Sequence, residues 1–421
     1  SHRTPVGFSG DTIISWDSLR FQPRFTATAA NIGYFWWSND IGGHMLGGSD
    51  DAMVARWFQL GCFSPINRLH SSNSGFTSKE PWRYSRDARA TMEAHLRLRH
   101  RLVPYLYTWA RRSAGEGIAP VRPVYHDHPR ELAAYEHRGS FCFGDLLVVP
   151  FTSPLDVATG LGRELTWLPD GVWYDLPTGR RYEATTGGRG RMLSLSRPLD
   201  RIGVLARAGS VIPLAGNLTE AAGDNPRELE IVVVPGGSGS FTLEEDDGSA
   251  QPGEDRIART HMALTWPEDE DGADVVLRIR LEGAADVVPA SRLVTVRLLA
   301  GRVAGAWLGV GERARRLATE EVSGDGFTLG AGTLVHLEEL SRQDLIDGVQ
   351  LVFRGTQHSP ADWRNEVHTI LDGARVEYMA KDLAWDAVQR GLSGTALLGE
   401  LEALGLPETL RAAVAEVLPH S

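Results

Sequence analysis

The chain reads as an α/β segment followed by two antiparallel β domains and a helical tail. Three observations carry that reading. Residues 1–122 alternate short apolar runs with stretches of helical periodicity, the pattern of β/α units. Residues 123–340 are cut into short β-rich runs by turn signals such as "PDG", "PTG", "TTGG" and "PGGSGS", as in sandwich-like β domains. Residues 341–421 are rich in Ala and Leu with charged faces, as in "GTALLGELEALGLPETLRAAVAEVL", and read as short helices. A boundary near Val234–Ser240 divides the β region into 123–235 and 236–340. No internal repeat is present.

Taken in order, "NIGYFWWSND" (Asn31–Asp40) reads as a buried strand ending in an acid. "WFQLGCFSPINRLH" (Trp57–His70) reads as another, ending in Arg68 and His70. In "DARATMEAHLRLRHRLVPYLYTWARR" the residues Leu96, Leu98, Leu102, Val103, Leu106 and Tyr107 recur at roughly helical spacing, with a kink expected at Pro104. "WLPDGVWYDLPTG" sets Trp167 and Trp173 on either side of Asp170-Gly171, a strong hairpin signal. The acidic stretches "LEEDDGSAQPGED" (Leu243–Asp255) and "WPEDEDGAD" (Trp266–Asp274) lack the ligand spacing of a calcium loop and read as solvated turns.

Bulk properties exclude several function classes. A net charge of −11 argues against nucleic acid as a partner, because affinity for phosphate rests on Lys and Arg. The only lysines are Lys79 and Lys381, so nearly all positive charge is arginine. The two cysteines, Cys62 and Cys142, sit in apolar surroundings and read as core residues, not a disulfide framework. No apolar run approaches the ~18 residues of a membrane span, so no membrane partner is expected. "SHRTPVGF" has no signal-peptide pattern, and a cytoplasmic location is expected. No phosphate-binding Gly-rich loop or Cys/His metal pattern appears, so neither a cofactor nor a metal is expected.

The candidate chemistry lies near the N-terminus. In a β/α barrel, catalytic groups sit where strands end and loops begin. Asp11, Asp40 and His70 each follow an apolar run and precede a helical pattern. Each also has a plain structural reading. Asp11 suits an N-cap for the helical stretch near Ser15–Phe21, Asp40 a turn acid before Gly42 and Gly43, and His70 a satisfied buried histidine.

Together these segments resemble glycoside hydrolase family 31, the retaining α-glucosidase and α-xylosidase family. The resemblance rests on "GFSGDTIISWDSL", "NIGYFWWSNDIGGHM", "RWFQLGCFSPINRLH", "EPWRY", "LRLRHRLVPYLYTWARR", "GIAPVRPVYHDHP", "FCFGDLLVVPF", "WLPDGVWYDLPTG" and "AGSVIPL", in the family's order from Arg3 to Leu214. "SFTLEEDDGSA" resembles the second β-sandwich of many members. The resemblance implies that 1–122 is the C-terminal part of a (β/α)8 TIM barrel, 123–235 a proximal β-sandwich and 236–340 a distal one; it does not extend past Ser341, and 341–421 reads as a helical extension from its pattern alone. It implies that Asp11 is the general acid/base. Asp40 and His70 would line the pocket of the sugar being cleaved, Phe8 would pack beside it, and Trp36, Trp37 and His44 would wall it.

The resemblance also has a gap. The family's nucleophile aspartate lies on an earlier barrel strand, and no matching segment occurs here. The sugar-gripping arginine ahead of "HRTP" has no match either. The expected activity is hydrolysis of α-linked glucosides or related sugars with retention, in partnership with the N-terminal portion of the enzyme. The chain alone is expected to be inactive. The rivals are a non-catalytic carbohydrate-binding or scaffold fragment, and a family 31 transglycosylase or α-glucan lyase.

Overall fold

The computed structural model describes residues 6–267, 274–309, 311, 314–359 and 361–419. The "HRTP" segment and most of the acidic stretch after Trp266 lie outside these residues.

The N-terminal segment is built from parallel strand ends and helices. Strand β1 (Val6–Phe8) pairs in parallel with β2 (Trp36–Ser38), Val6 opposite Trp36 and Phe8 opposite Ser38. A third extended segment joins through parallel bridges of Ile66 to Ser38 and of Leu69 to Ile41. Helix α1 (Trp16–Thr28) follows β1. Its cap is Ser15, whose hydroxyl accepts from the Ser18 amide, so Asp11 is not the cap. Helix α2 (Asp51–Cys62) begins at Asp50, whose carboxylate accepts from the Met53 amide. This helix corrects the reading of Trp57–His70 as a strand. Met53 to Cys62 are all buried, and a helix buried on every side loses the periodicity that would mark it. Helices α3 (Arg86–Arg101) and α4 (Val103–Glu116) follow. The break comes at Leu102, and Pro104 sits in the first turn of α4, where its missing N–H costs nothing.

The β region forms two linked sheet systems. A six-stranded antiparallel sheet runs Val121–Pro123, Phe141–Phe143, Leu146–Val149, Gly203–Arg207, Val172–Asp175, Arg181–Glu183. Beside it Gly162–Leu168 pairs with Arg191–Arg197. Trp167 and Trp173 therefore lie on strands of different sheets, and the Asp170-Gly171 turn joins sheets in place of the expected hairpin. Trp173 donates its indole N–H to the Pro169 carbonyl, which fixes the corner.

The second system places the strands Val211–Ala215 and Glu228–Val233 in one sheet with Ser291–Leu299, Gly332–His336 and Thr319–Val322. The expected boundary near residue 235 is thus corrected. Those first two strands belong with the distal strands, because Glu228–Val233 pairs in parallel with Ser291–Leu299. That pairing also means the sheet is mixed, not purely antiparallel. A facing six-stranded sheet holds Gly239–Glu245, Ala258–Thr265, Val275–Gly283, Val349–Arg354, Gly305–Leu308 and Arg315–Leu317. Val275, Leu277, Ile279 and Leu281 alternate inward along one strand and join Ile231, Val296 and Val335 of the other sheet in one core. Val349–Arg354 lies in the middle of this sheet, so the helical tail begins later than residue 341.

The acids after Leu243 are less solvated than their sequence suggests. Glu245 is buried and holds the fully buried Arg292, Nη1 to Oε2 at 2.9 Å. Both cysteines are buried thiols, and burial pushes each pKa up to about 12. Four helices, Trp363–Gly373, Tyr378–Gln389, Gly394–Ala403 and Glu408–Val417, have an apolar core of their own built on Val367, Leu371, Ala384, Leu397, Leu401 and Leu410. Among the described residues no helix is long and apolar enough to cross a membrane.

Candidate active site

The loop after β1 carries Asp11. The Ser9 amide still bonds the Ser38 carbonyl, and Gly10 then turns the chain at φ +77°, in the left-handed region that favours glycine. The Asp11 side chain is 55% exposed. Its neighbour Thr12 is buried and stapled on both sides. The Thr12 amide donates to Oδ2 of Asp40 at 3.2 Å, and its carbonyl accepts from the His44 amide at 2.7 Å. Gly43 lets this approach happen, since a Cβ there would lie 2.8 Å from Cα of Ile14.

The loop after β2 carries Asp40 and His44, and the third segment carries Arg68 and His70. One donor atom each from Asp11, Asp40, His44 and His70 fall within 4.8 Å of one another. His44 Nε2 stands 3.8 Å from Asp11 Oδ2. The His44 and His70 rings lie 4.5 Å apart between centroids, tilted by 33°. Three segments separated by about thirty residues each thus converge on one face.

Asp40 differs from Asp11 in kind. It has no solvent exposure, its Oδ1 meets Arg68 Nη2 at 2.5 Å, and its Oδ2 holds the Thr12 amide. Arg68 was not among the candidate residues. Besides Asp40 it binds Ser38 Oγ through Nε at 3.1 Å and lies over the Phe8 ring at 5.2 Å. It is the side chain that ties all three segments together. Its position two residues before His70 on an extended segment puts both on one side, and that spacing was the available signal. Lys79 lies behind Asp40. It is buried, burial lowers its pKa against the pull of Asp40, and its stem fills the space over Gly42.

The aromatic candidates divide. Phe8 is 49% exposed beside Arg68. Trp36 shares the strand face of Ser38 and is partly buried. Trp37 points the other way and is corrected as a pocket wall. It packs edge-on against Phe25 at 4.8 Å and Tyr34 at 5.8 Å, in the layer beneath α1. Successive residues of a strand face opposite sides, so Trp36 and Trp37 cannot wall one pocket.

Chemically, the cluster offers one solvent-facing carboxylate, two imidazoles and a buried carboxylate held by Arg68. The four donors are also of the kinds that bind a divalent transition metal. With both Asp40 oxygens committed to Arg68 and Thr12, three remain open.

Residues 1–109 match the TIM-barrel domain of glycosyl hydrolases family 31, and residues 117–212 match the glycosyl hydrolase family 31 C-terminal domain. The chain is 30% identical over 269 residues to an α-xylosidase of Saccharolobus solfataricus, covering 63% of this chain and 35% of that protein. It is 26% identical over 294 residues to the lysosomal α-glucosidase of Mus musculus, covering 66% and 30% respectively. The chain thus spans about a third of the length of these relatives. The GH31 α-xylosidase of Xanthomonas citri superposes with a TM-score of 0.57 at 26% identity, covering 69% of this chain and 32% of that one. The GH31 dextranase of Flavobacterium johnsoniae, solved with isomaltotriose, superposes with a TM-score of 0.68 at 20% identity, over 84% of this chain and 44% of that one, a likeness of fold. Through the two matched domains, residues 1–212 of this chain belong to glycosyl hydrolases family 31.

Proposed function

We propose that this chain is the acid/base-bearing part of a retaining α-glycosidase acting on α-linked glucosides or related sugars. In this reading residues 6–116 form the last strands of a (β/α)8 barrel whose other strands lie outside these 421 residues, and the two sheet systems are its β-sandwiches. Asp11 protonates the leaving glycosidic oxygen and then deprotonates the attacking water. His44 and His70 hydrogen-bond sugar hydroxyls, and Phe8 and Trp36 flank the ring. The observation that carries the reading is the convergence of Asp11, Asp40, His44 and His70 within 4.8 Å at the ends of parallel segments, in a chain of this family.

A self-contained site built on Asp11 and Asp40 has one point in its favour. Retaining glycosidases place their two carboxyl groups about 5 Å apart, close to the spacing seen here. Burial decides against it. A nucleophile must reach the anomeric carbon, and Asp40 is fully enclosed with both oxygens engaged. Asp40 instead positions the loop of Asp11, and the nucleophile comes from the rest of the barrel.

The test is an assay with aryl α-glucosides and aryl α-xylosides, using the chain alone and then with the preceding part of the barrel supplied. Turnover only after complementation, abolished by Asp11→Ala, is expected. Turnover by the chain alone would sink the reading. Release of an unsaturated or transferred sugar product would reassign the reaction to a lyase or transglycosylase.

A further inference from the structure

We propose that the cavity at the seam between the two sheet systems is a second binding site, for a neutral, hydroxyl-rich ligand of one or two sugar units. The cavity holds about 490 Å³, within the range of small-molecule sites. It opens where strand Gly203–Arg207 hands over to Val211–Ala215 and Gly239–Glu245. Its lining includes Arg122, Asp127, His128, Asp145, Trp173 and Arg207, none of which belongs to the cluster around Asp11.

The charges set the ligand class. Arg122 is neutralised by Asp127, Nε to Oδ1 at 2.9 Å and Nη2 to Oδ2 at 2.6 Å. Asp145 and Arg207 make no side-chain hydrogen bond or ion pair among the described residues. Asp145 stands at the mouth, open to solvent on one side. Its carboxyl is crowded enough that burial raises its pKa, against the pull of Arg122 and Arg112. His128 is held below its usual pKa by burial, against the pull of Asp127, so at neutral pH it offers one donor and one acceptor. Two cations and two carboxylates favour neither an anion nor a cation. What they leave is an unpaired acceptor, an unpaired fork of donors and an imidazole, arranged around carbon surface. Trp173 contributes only that surface, since its N–H is already given to Pro169. Hydroxyls that both donate and accept, set on a C–H framework, satisfy all of these at once.

The experiment is calorimetric titration of the full chain with maltose and isomaltose as probes, with indole fluorescence as a second readout. Asp145→Asn and Arg207→Ala should each weaken binding about tenfold or more, the loss expected for a hydrogen bond to a charged group. Neither side chain makes a hydrogen bond or ion pair whose loss would unfold the chain, so both variants should stay folded at the titration temperature, checked by their unfolding midpoints. His70→Ala should leave this binding intact, which separates the seam from the cleft of Asp11. Three results would each overturn the proposal. They are no binding at millimolar sugar, binding indifferent to both substitutions, and binding lost in His70→Ala but kept in Asp145→Asn.

Discussion

Arg68 reaches Asp40 at 2.5 Å, and Asp40 has no contact with solvent. The pair couples the third extended segment to the loop that carries Asp11, because the other Asp40 oxygen holds the Thr12 amide. Removing the guanidinium strands a buried carboxylate. Arg68→Ala should cost about 1.5–3 kcal/mol in urea unfolding, the worth of a hydrogen bond to a charged group at a partly exposed site. Arg68→Lys keeps the charge but loses the fork that spans Ser38 and Asp40, and should recover only part of the loss. Equal stability of the alanine variant and the parent would show that Asp40 does not depend on Arg68.

A second buried pair fastens the C-terminal helices to the proximal sheets. Glu416, at the end of helix Glu408–Val417, accepts from Arg197 Nη1 at 2.5 Å, from the Tyr182 hydroxyl at 2.7 Å and from the Ser196 amide at 2.6 Å. Arg197 also binds Asp175 at 3.0 Å; burial pushes its pKa down, but the combined pull of Glu416, Tyr182 and Asp175 outweighs it and holds the pKa well above the ordinary value. Glu416→Ala leaves Arg197 half-paired in a closed site. A loss of about 3–5 kcal/mol is expected, with earlier proteolytic release of the helical unit. If proteolysis of residues 363–417 is unchanged, the pair does not fasten them.

Acid should act through His95. This side chain is fully buried on α3, its Nδ1 is 2.8 Å from the Thr91 carbonyl, and burial pushes its pKa down to about 4. A histidine whose folded pKa lies below its unfolded value near 6.5 binds protons better when unfolded. Stability is therefore untouched above pH ~7 and falls as pH drops from about 6.5 to about 4, by roughly 3 kcal/mol at the lower end. His95→Gln should flatten the stability curve within that window. A curve of unchanged slope would place the acid-sensitive group elsewhere.

What could be read from sequence follows a physical division. The convergence of Asp11, Asp40 and His70 was legible because each ends an apolar run, a local feature that also fixes their common face. Helix α2 was not, because burial on all sides erased its periodicity. Arg68 was hidden among 43 basic residues of which only two are lysine, so its type carried no signal. Trp37 was grouped with Trp36 because adjacent aromatics look alike in a string, while a strand sends them to opposite sides. The domain boundary failed for a nonlocal reason. Glu228–Val233 is matched to Ser291–Leu299 some sixty residues on, and no turn signal announces a parallel partner.

Asp11 and Ser15 compete in the sequence for one capping position. Four residues apart, both precede α1, and sequence alone allows either to cap it. The structure gives the cap to Ser15, whose hydroxyl takes the Ser18 amide at 3.2 Å, and leaves Asp11 facing solvent beside His44. Ser15→Ala should therefore cost about 1 kcal/mol of stability. Asp11→Asn should change stability by less than about 0.5 kcal/mol, as a surface substitution without a cap or buried partner does. In the complemented enzyme the order should reverse. Asp11→Asn cannot protonate the leaving oxygen and should lose at least 10²-fold in kcat with aryl glycosides that need acid assistance, and less with activated leaving groups, whose departure needs no proton. Ser15→Ala should keep its turnover at temperatures where it stays folded. A stability loss in Asp11→Asn equal to that of Ser15→Ala would return Asp11 to a structural role, and full activity in Asp11→Asn would remove it from the chemistry.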